Sequence, residues 1–118
     1  MNDEWNEQTN ITDGAVSGYT PKGYIFELKS NRKIILGRKR FVIGRAPGCD
    51  LVLDDDSISR IHCAIHDNYS SFILEDMDSS NGTFINDLCI KKKILHSGDS
   101  FRIGDQGFSF HLFDNDPK

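Results

Sequence analysis

The sequence predicts an all-β domain, on three observations. From Tyr24 onward, short runs rich in β-branched and aromatic residues recur at intervals of about 8–12 residues. Apolar residues within these runs alternate with a period of two, and clusters of turn-forming residues separate them. No segment holds a helical period over about 10 residues, and there is no internal repeat. A length of 118 residues leaves room for one compact core.

Taken in order, residues 1–20 lack periodicity: Asn, Asp, Glu, Thr and Gly surround the isolated Trp5 and Ile11, which predicts a flexible acidic tail. The domain is expected over 21–115, with 116–118 as a short C-terminal end. Its first candidate strands are Tyr24–Lys29, Lys33–Leu36 and Arg40–Gly44. Pro47-Gly48 turns the chain towards Leu51–Leu53, and Asp54-Asp55-Asp56-Ser57 separates that strand from Ile61–His66. Asp67-Asn68 leads into Ser71–Glu75, and Ser79-Ser80-Asn81-Gly82 into Thr83–Ile85. Asn86-Asp87 is a tight turn before Leu88–Lys91. Ser97-Gly98-Asp99 precedes Ser100–Ile103, and Gly104-Asp105-Gln106-Gly107 precedes Phe108–Phe113. Leu51/Leu53, Ile61/Cys63/Ile65, Phe72/Leu74, Phe101/Ile103 and Phe108/Phe110/Leu112 each share a face and are the expected core.

Composition narrows the function classes. Hydrophobic residues at 37% and charged residues at 27% fit a soluble globular chain. No apolar run approaches the roughly 20 residues that cross a bilayer, so no membrane partner and an intracellular placement are expected. Cys49, Cys63 and Cys89 are odd in number and lack Cys-x-x-Cys spacing, which argues against a disulfide framework or a zinc ribbon; they read as small buried hydrophobes. Neither a metal nor a cofactor is expected. The net charge of -4 lies in the first 20 residues, where Asp3, Glu4, Glu7 and Asp13 face no Lys or Arg. The neutral remainder makes direct nucleic-acid binding an unfavoured reading of Arg38-Lys39-Arg40 and Lys91-Lys92-Lys93, which fit solvated turns or edge-strand guards.

Three loops carry polar groups beyond what a turn needs: Gly44-Arg45, Ser59-Arg60-Ile61-His62 and Ser80-Asn81-Gly82-Thr83. A phosphorylated side chain presents a charge of about -1.5 to -2 and three strong acceptor oxygens, so its reader needs planar cations, hydroxyls and N–H groups at one point. Arg45 and Arg60 supply the cations, Ser59 a hydroxyl, and Asn81 donors and an acceptor for a peptide main chain. Gly82 allows a positive φ beside it. Taken singly, an Arg at a strand end is commonly a solvated charge, Ser59 a turn cap and Asn-Gly a turn. Only their joint order changes that weighting.

That order, Gly44-Arg45, Ser59-x-x-His62 and Asn81-Gly82, resembles the signature of the forkhead-associated (FHA) family. The likeness extends through Phe41–Leu53, Ile58–Ile65, Asp78–Asn86 and Leu95–Gly104. It implies an eleven-stranded sandwich of two sheets with binding loops at one end, and a non-enzymatic module that binds phosphothreonine-containing proteins. By resemblance, Arg45, Ser59 and Ser80 would contact the phosphate, Arg60 would assist and Asn81 would hold the peptide backbone. Gly44, His62, Gly82 and Thr83 would shape the loops. Asn86-Asp87 departs from the Asn-Gly of many members, which puts the local turn geometry in question. The acidic leader with Trp5 ahead of the domain also looks like the start of a DNA-damage checkpoint mediator, which would favour the nucleus over the cytoplasm.

Other classes fare worse. A hydrolase would use Ser59 or Cys63 with His62 or His66, yet no strand-to-helix nucleophile elbow is present. A His62/His66 metal pair on one strand would be separated by about 13 Å. A calcium loop from Asp54 has Ser59 and Ile65 where Gly and Glu are needed. A self-association scaffold is the main alternative, either constitutive or as a homodimer in which phosphorylated Thr9, Thr12 or Thr20 docks into a second copy.

Overall fold

The computed structural model describes residues 18–113. Among these residues there is no helix, and eleven strands follow one another: β1 (Gly23–Glu27), β2 (Arg32–Ile35), β3 (Arg40–Gly44), β4 (Leu51–Val52), β5 (Cys63–Asp67), β6 (Phe72–Asp76), β7 (Thr83–Ile85), β8 (Leu88–Ile90), β9 (Lys92–Leu95), β10 (Ser100–Ile103) and β11 (Gln106–Leu112). They form a six-stranded sheet in the order β2-β1-β11-β10-β7-β8 and a five-stranded sheet in the order β4-β3-β5-β6-β9. The β3–β4 pair is parallel, with Ile43 opposite Leu51; the other pairs are antiparallel. Residues 1–17 and 114–118 lie outside the described residues, and with them Thr9, Thr12, Trp5 and the last two residues of the expected domain span.

The period-two pattern explains the core. Ile25, Phe41, Ile43, Cys63, Ile65, Phe72, Leu74, Phe101, Ile103, Phe108 and Phe110 point inward from both sheets and are almost fully buried. Phe72 meets Phe110 edge-on at 5.2 Å across the sandwich, and Phe101 stacks on Phe108 at 5.3 Å within one sheet.

Four sequence expectations need correction. Ile61 is 44% exposed because β5 begins only at Cys63, so Ile61 sits in the preceding loop and not on the inward face. Leu112 is 47% exposed at the last position of β11, beyond the cover of the facing sheet. Cys89 is exposed, since alternation along β8 turns it outward beside Phe84, while Cys49 and Cys63 are buried as expected. The candidate strand Leu88–Lys91 ends at Ile90, and Lys92–Leu95 forms β9, which the residue pattern missed. Only Leu95 of β9 is buried; as an edge strand it carries Lys92 and Lys93 as guards, so no apolar alternation marks it.

Register fixes which loops meet. Ile43, Cys63 and Asp76 lie side by side in one sheet, while Thr83, Ile103 and Gln106 do so in the other. The loops after β3, β4, β6 and β10 therefore gather at one end. The opposite end collects the entry to β1, the end of β11 and the turns before β3, β6 and β10.

Candidate functional site

Close backbone contact comes first. A Cβ on Gly44 would overlap the Arg60 carbonyl oxygen and press on Cys49 Sγ, so only glycine lets the 58–60 segment lie across the end of β3. Two backbone bonds then fasten it: Arg45 N–H to Ser59 O and Ala46 N–H to Arg60 O, both at 3.0 Å. The Arg45 guanidinium donates its Nε–H to Ile58 O at 3.0 Å, which anchors the side chain, and neither terminal nitrogen has a hydrogen-bond partner among the described residues. Arg45 and Arg60 are exposed, and neither forms a salt bridge among the described residues.

His62 joins this segment to the β6–β7 loop. It is fully buried; Nδ1 accepts the Ser59 N–H at 3.0 Å, so the proton sits on Nε2, which donates to Gly82 O at 2.9 Å. Ser59 Oγ accepts the Ser80 N–H at 2.9 Å, leaving the Ser59 hydroxyl proton to point elsewhere. Asn81 gives one Nδ2–H to Ser57 O at 2.9 Å and keeps the other, with Oδ1, on the exposed side. Gly82 has φ +90°, and a Cβ there would crowd the Phe84 ring.

A second layer was not legible in the sequence. Asp76 Oδ1 accepts from Ser79 Oγ at 2.5 Å and from the buried Thr83 hydroxyl at 2.7 Å, while Oδ2 takes the Ser79 N–H at 3.1 Å. Burial works to raise the Asp76 carboxyl, but the bonds from Ser79 and Thr83 outweigh it and hold the group below its ordinary value. Ser79 Oγ also accepts the Gly82 N–H at 2.9 Å, so the turn that presents Ser80 and Asn81 hangs from one carboxylate. Asp55, Ser57 and Gln106 form a similar knot. Asp55 Oδ1 binds both the N–H and the hydroxyl of Ser57, Oδ2 takes Gln106 Nε2 at 2.6 Å, and Ser57 Oγ accepts the Asp105 N–H at 2.9 Å. The available signal was the Asp-x-x-Ser spacing at Asp76 and the Asp-x-Ser at Asp55, both side chain-to-backbone turn patterns.

The loops thus bring Arg45, Ser59, Arg60, Ser80 and Asn81 to one rim, with Gly44, His62, Gly82 and Thr83 beneath them. Asn86 and Asp87 have φ of 50° and 68°, so the β7–β8 turn adopts the left-handed pair that Asn-Gly would favour, with aspartate in the second place. The arrangement does not suit hydrolysis. Both ring nitrogens of His62 are committed to backbone groups, so neither meets the Ser59 hydroxyl. Burial pushes the Cys63 thiol well up, and His66 points outward to Glu75 at 2.9 Å.

This geometry agrees with known proteins. The FHA domain family model matches residues 41–104. The transcriptional regulatory protein EmbR of Mycobacterium tuberculosis is 33% identical over 97 residues, covering 81% of this chain and 25% of EmbR. The structure of that protein in complex with a low-affinity phosphopeptide superposes with a TM-score of 0.77 at 29% identity, over 90% of this chain and 28% of that one. A structure described for phosphothreonine-dependent FHA domain interactions gives a TM-score of 0.74 at 26% identity, over 78% of this chain and 97% of that one. The DNA damage response protein kinase DUN1 of Saccharomyces cerevisiae is 35% identical over 100 residues, covering 75% of this chain and 20% of the kinase. The chain spans about a quarter of the length of EmbR. On sequence, fold and loop geometry together, the chain belongs to the FHA domain family.

Proposed function

We propose that this chain is a phosphothreonine-peptide reader, a non-catalytic module that brings a signalling protein to kinase products. The observation that carries the reading is the division of valences at the rim. Arg45, Ser59 and Asn81 each spend one polar group on the scaffold and keep the rest without a partner among the described residues, beside exposed Arg60 and Ser80. Such donors are preorganised for a dianion, which lowers the ordering cost of binding. In this reading Arg45, Ser59 and Ser80 take the phosphate, Arg60 adds charge and Asn81 grips the peptide main chain. An intracellular placement fits a reader of kinase products. The domain itself does not choose a pathway, because its relatives range from a mycobacterial transcriptional regulator to a yeast damage-response kinase. The checkpoint-mediator role and the nuclear address therefore gain no particular support from them.

Fluorescence anisotropy with matched phosphothreonine, phosphoserine and unphosphorylated peptides tests this. Binding should require the phosphate and prefer threonine, and Arg45→Ala should weaken it by at least about tenfold, the worth of one charged hydrogen bond of about 1.5–3 kcal/mol. Binding that ignores both phosphate and Arg45 would remove the proposal and leave self-association in its place. One feature bears on that alternative: Thr20 is exposed at the end opposite the rim, so a phosphate there reaches only another copy's loops. Sedimentation of the phosphorylated chain would reveal such a dimer.

A further inference from the structure

We propose that the acidic segment 1–17 docks in cis on a basic cleft at the end of the sandwich opposite the phosphopeptide rim, with Trp5 seated in an adjoining apolar hollow. The cleft has a volume of about 670 Å3 and is lined by Lys22, Arg38, Lys39 and Arg40, with Asp67 and Tyr69 between them. Gly18, Tyr19 and Thr20 already line it, so the chain leaves residue 18 inside the cleft. Tyr19 is fastened there, its hydroxyl donating to Asp67 Oδ2 at 2.9 Å, and Lys22 Nζ lies 3.2 Å from the same oxygen.

Charge complementarity selects the occupant. Lys22 is balanced by Asp67 and Arg38 by Asp50, whereas Lys39 and Arg40 form no salt bridge among the described residues. Residues 1–17 contain Asp3, Glu4, Glu7 and Asp13 and no Lys or Arg. The remainder of the chain is neutral overall, so the segment that carries the chain's net charge is tethered beside an excess of positive charge.

An apolar seat lies next door. A second cleft of about 550 Å3 shares Lys22, Asp67 and Tyr69 with the first and is floored by Phe72, Ile94 and Leu112. Ile94 and Leu112 are 45% and 47% exposed, and Tyr69 is 77% exposed at φ 65° under the Lys39 ammonium, 3.5 Å from its ring centroid. Tyr69 belongs to the β5–β6 turn, where its N–H donates to Asp67 Oδ1 at 2.9 Å, so its ring stands exposed at the border of the two clefts. Trp5 lies 13 residues before Gly18, a reach of about 20 Å for a chain of that length. Tethering supplies an effective concentration in the millimolar range, so a weak contact is enough to fill the site.

Trp5 is the single tryptophan, so its emission reports on the segment alone. In the full chain at low salt, Trp5 should be blue-shifted and quenched by acrylamide about threefold less than in the Lys39→Glu/Arg40→Glu variant, with 1 M salt removing much of the difference. Neutralising Asp3, Glu4, Glu7 and Asp13 to amides should have the same effect. Phosphopeptide affinity should stay within about twofold in each variant, which shows that the domain remains folded. Equal quenching in wild type and variants would overturn the proposal, as would protection that grows with protein concentration, the mark of a second copy's segment.

Discussion

The two ends of the β5–β6 hairpin are each organised by one carboxylate, and they solve the burial problem differently. Asp76, closing β6 at the rim, is satisfied by two hydroxyls and a backbone N–H from residues no more than seven positions away. Asp67, closing β5 at the far end, is 3% exposed and accepts from Tyr19, 48 positions away, from Lys22 and from the Tyr69 N–H at 2.9 Å. For both, burial works to raise the carboxyl. At Asp67 the Tyr19, Lys22 and Tyr69 contacts outweigh it, as Ser79 and Thr83 do at Asp76. Neutral local partners stiffen a loop without using a cation, which leaves Arg45 and Arg60 free for a ligand. A cation and a remote tyrosine instead pin the incoming chain, and that is a fastening role.

The largest effect should come from the group that ties the rim together. His62→Ala leaves the Ser59 N–H and the Gly82 carbonyl without their partner in a fully buried site, and should cost about 2–4 kcal/mol in chemical denaturation. Next come the two carboxylates. Asp76→Asn and Asp67→Asn should each lose about 1–3 kcal/mol, but only Asp76→Asn should weaken phosphopeptide binding, because only it supports the Ser80-Asn81 turn. If Asp67→Asn weakened binding as much, the separation of the two ends would be wrong.

Acid titration sharpens the same contrast. Both carboxyls are lowered in the folded state, so their stabilisation is full above the unfolded value of about 3.9 and is lost as pH falls through the folded value. The penalty of either Asn variant should therefore shrink below about pH 4. Added salt should also shrink it for Asp67, whose partner Lys22 is 43% exposed, and leave it nearly unchanged for Asp76, whose partners are uncharged. The smallest effect lies away from both ends. Asp87→Gly relieves a non-glycine φ of 68° in the β7–β8 turn and should raise stability by up to about 1 kcal/mol in a thermal melt.

Much of this was legible in the residues. The strand pattern located all strands but β9, whose Lys92 and Lys93 serve as edge guards and so hide the apolar period. The rim residues stood out only through the joint order of Gly44-Arg45, Ser59-x-x-His62 and Asn81-Gly82, since each alone reads as a solvated charge or a turn former. Their supports did not stand out. Asp76, Ser79, Asp55 and Ser57 look like ordinary turn formers, and nothing local shows that one carboxylate closes against Thr83 or that Ser57 meets both Asn81 and Asp105. Ile61, Leu112 and Cys89 were misplaced for a related reason: alternation says which residues share a face, but not where the strand stops or whether a facing sheet covers it.

By itself, then, the sequence determined the all-β class and most of the inward-facing residues, because period and turn chemistry are local properties of the chain; the polar groups proposed to read a phosphate stood out only through their joint order. Which of their hydrogen-bonding valences are committed to the scaffold was decided by tertiary structure alone. Arg45 is anchored at the rim through Nε–H to Ile58 O, 13 positions away, and the Ser59 hydroxyl oxygen is anchored by the Ser80 N–H, 21 positions away. A hydrogen bond is committed by whatever the fold brings within about 3 Å, and that neighbour is not written next to it in the chain.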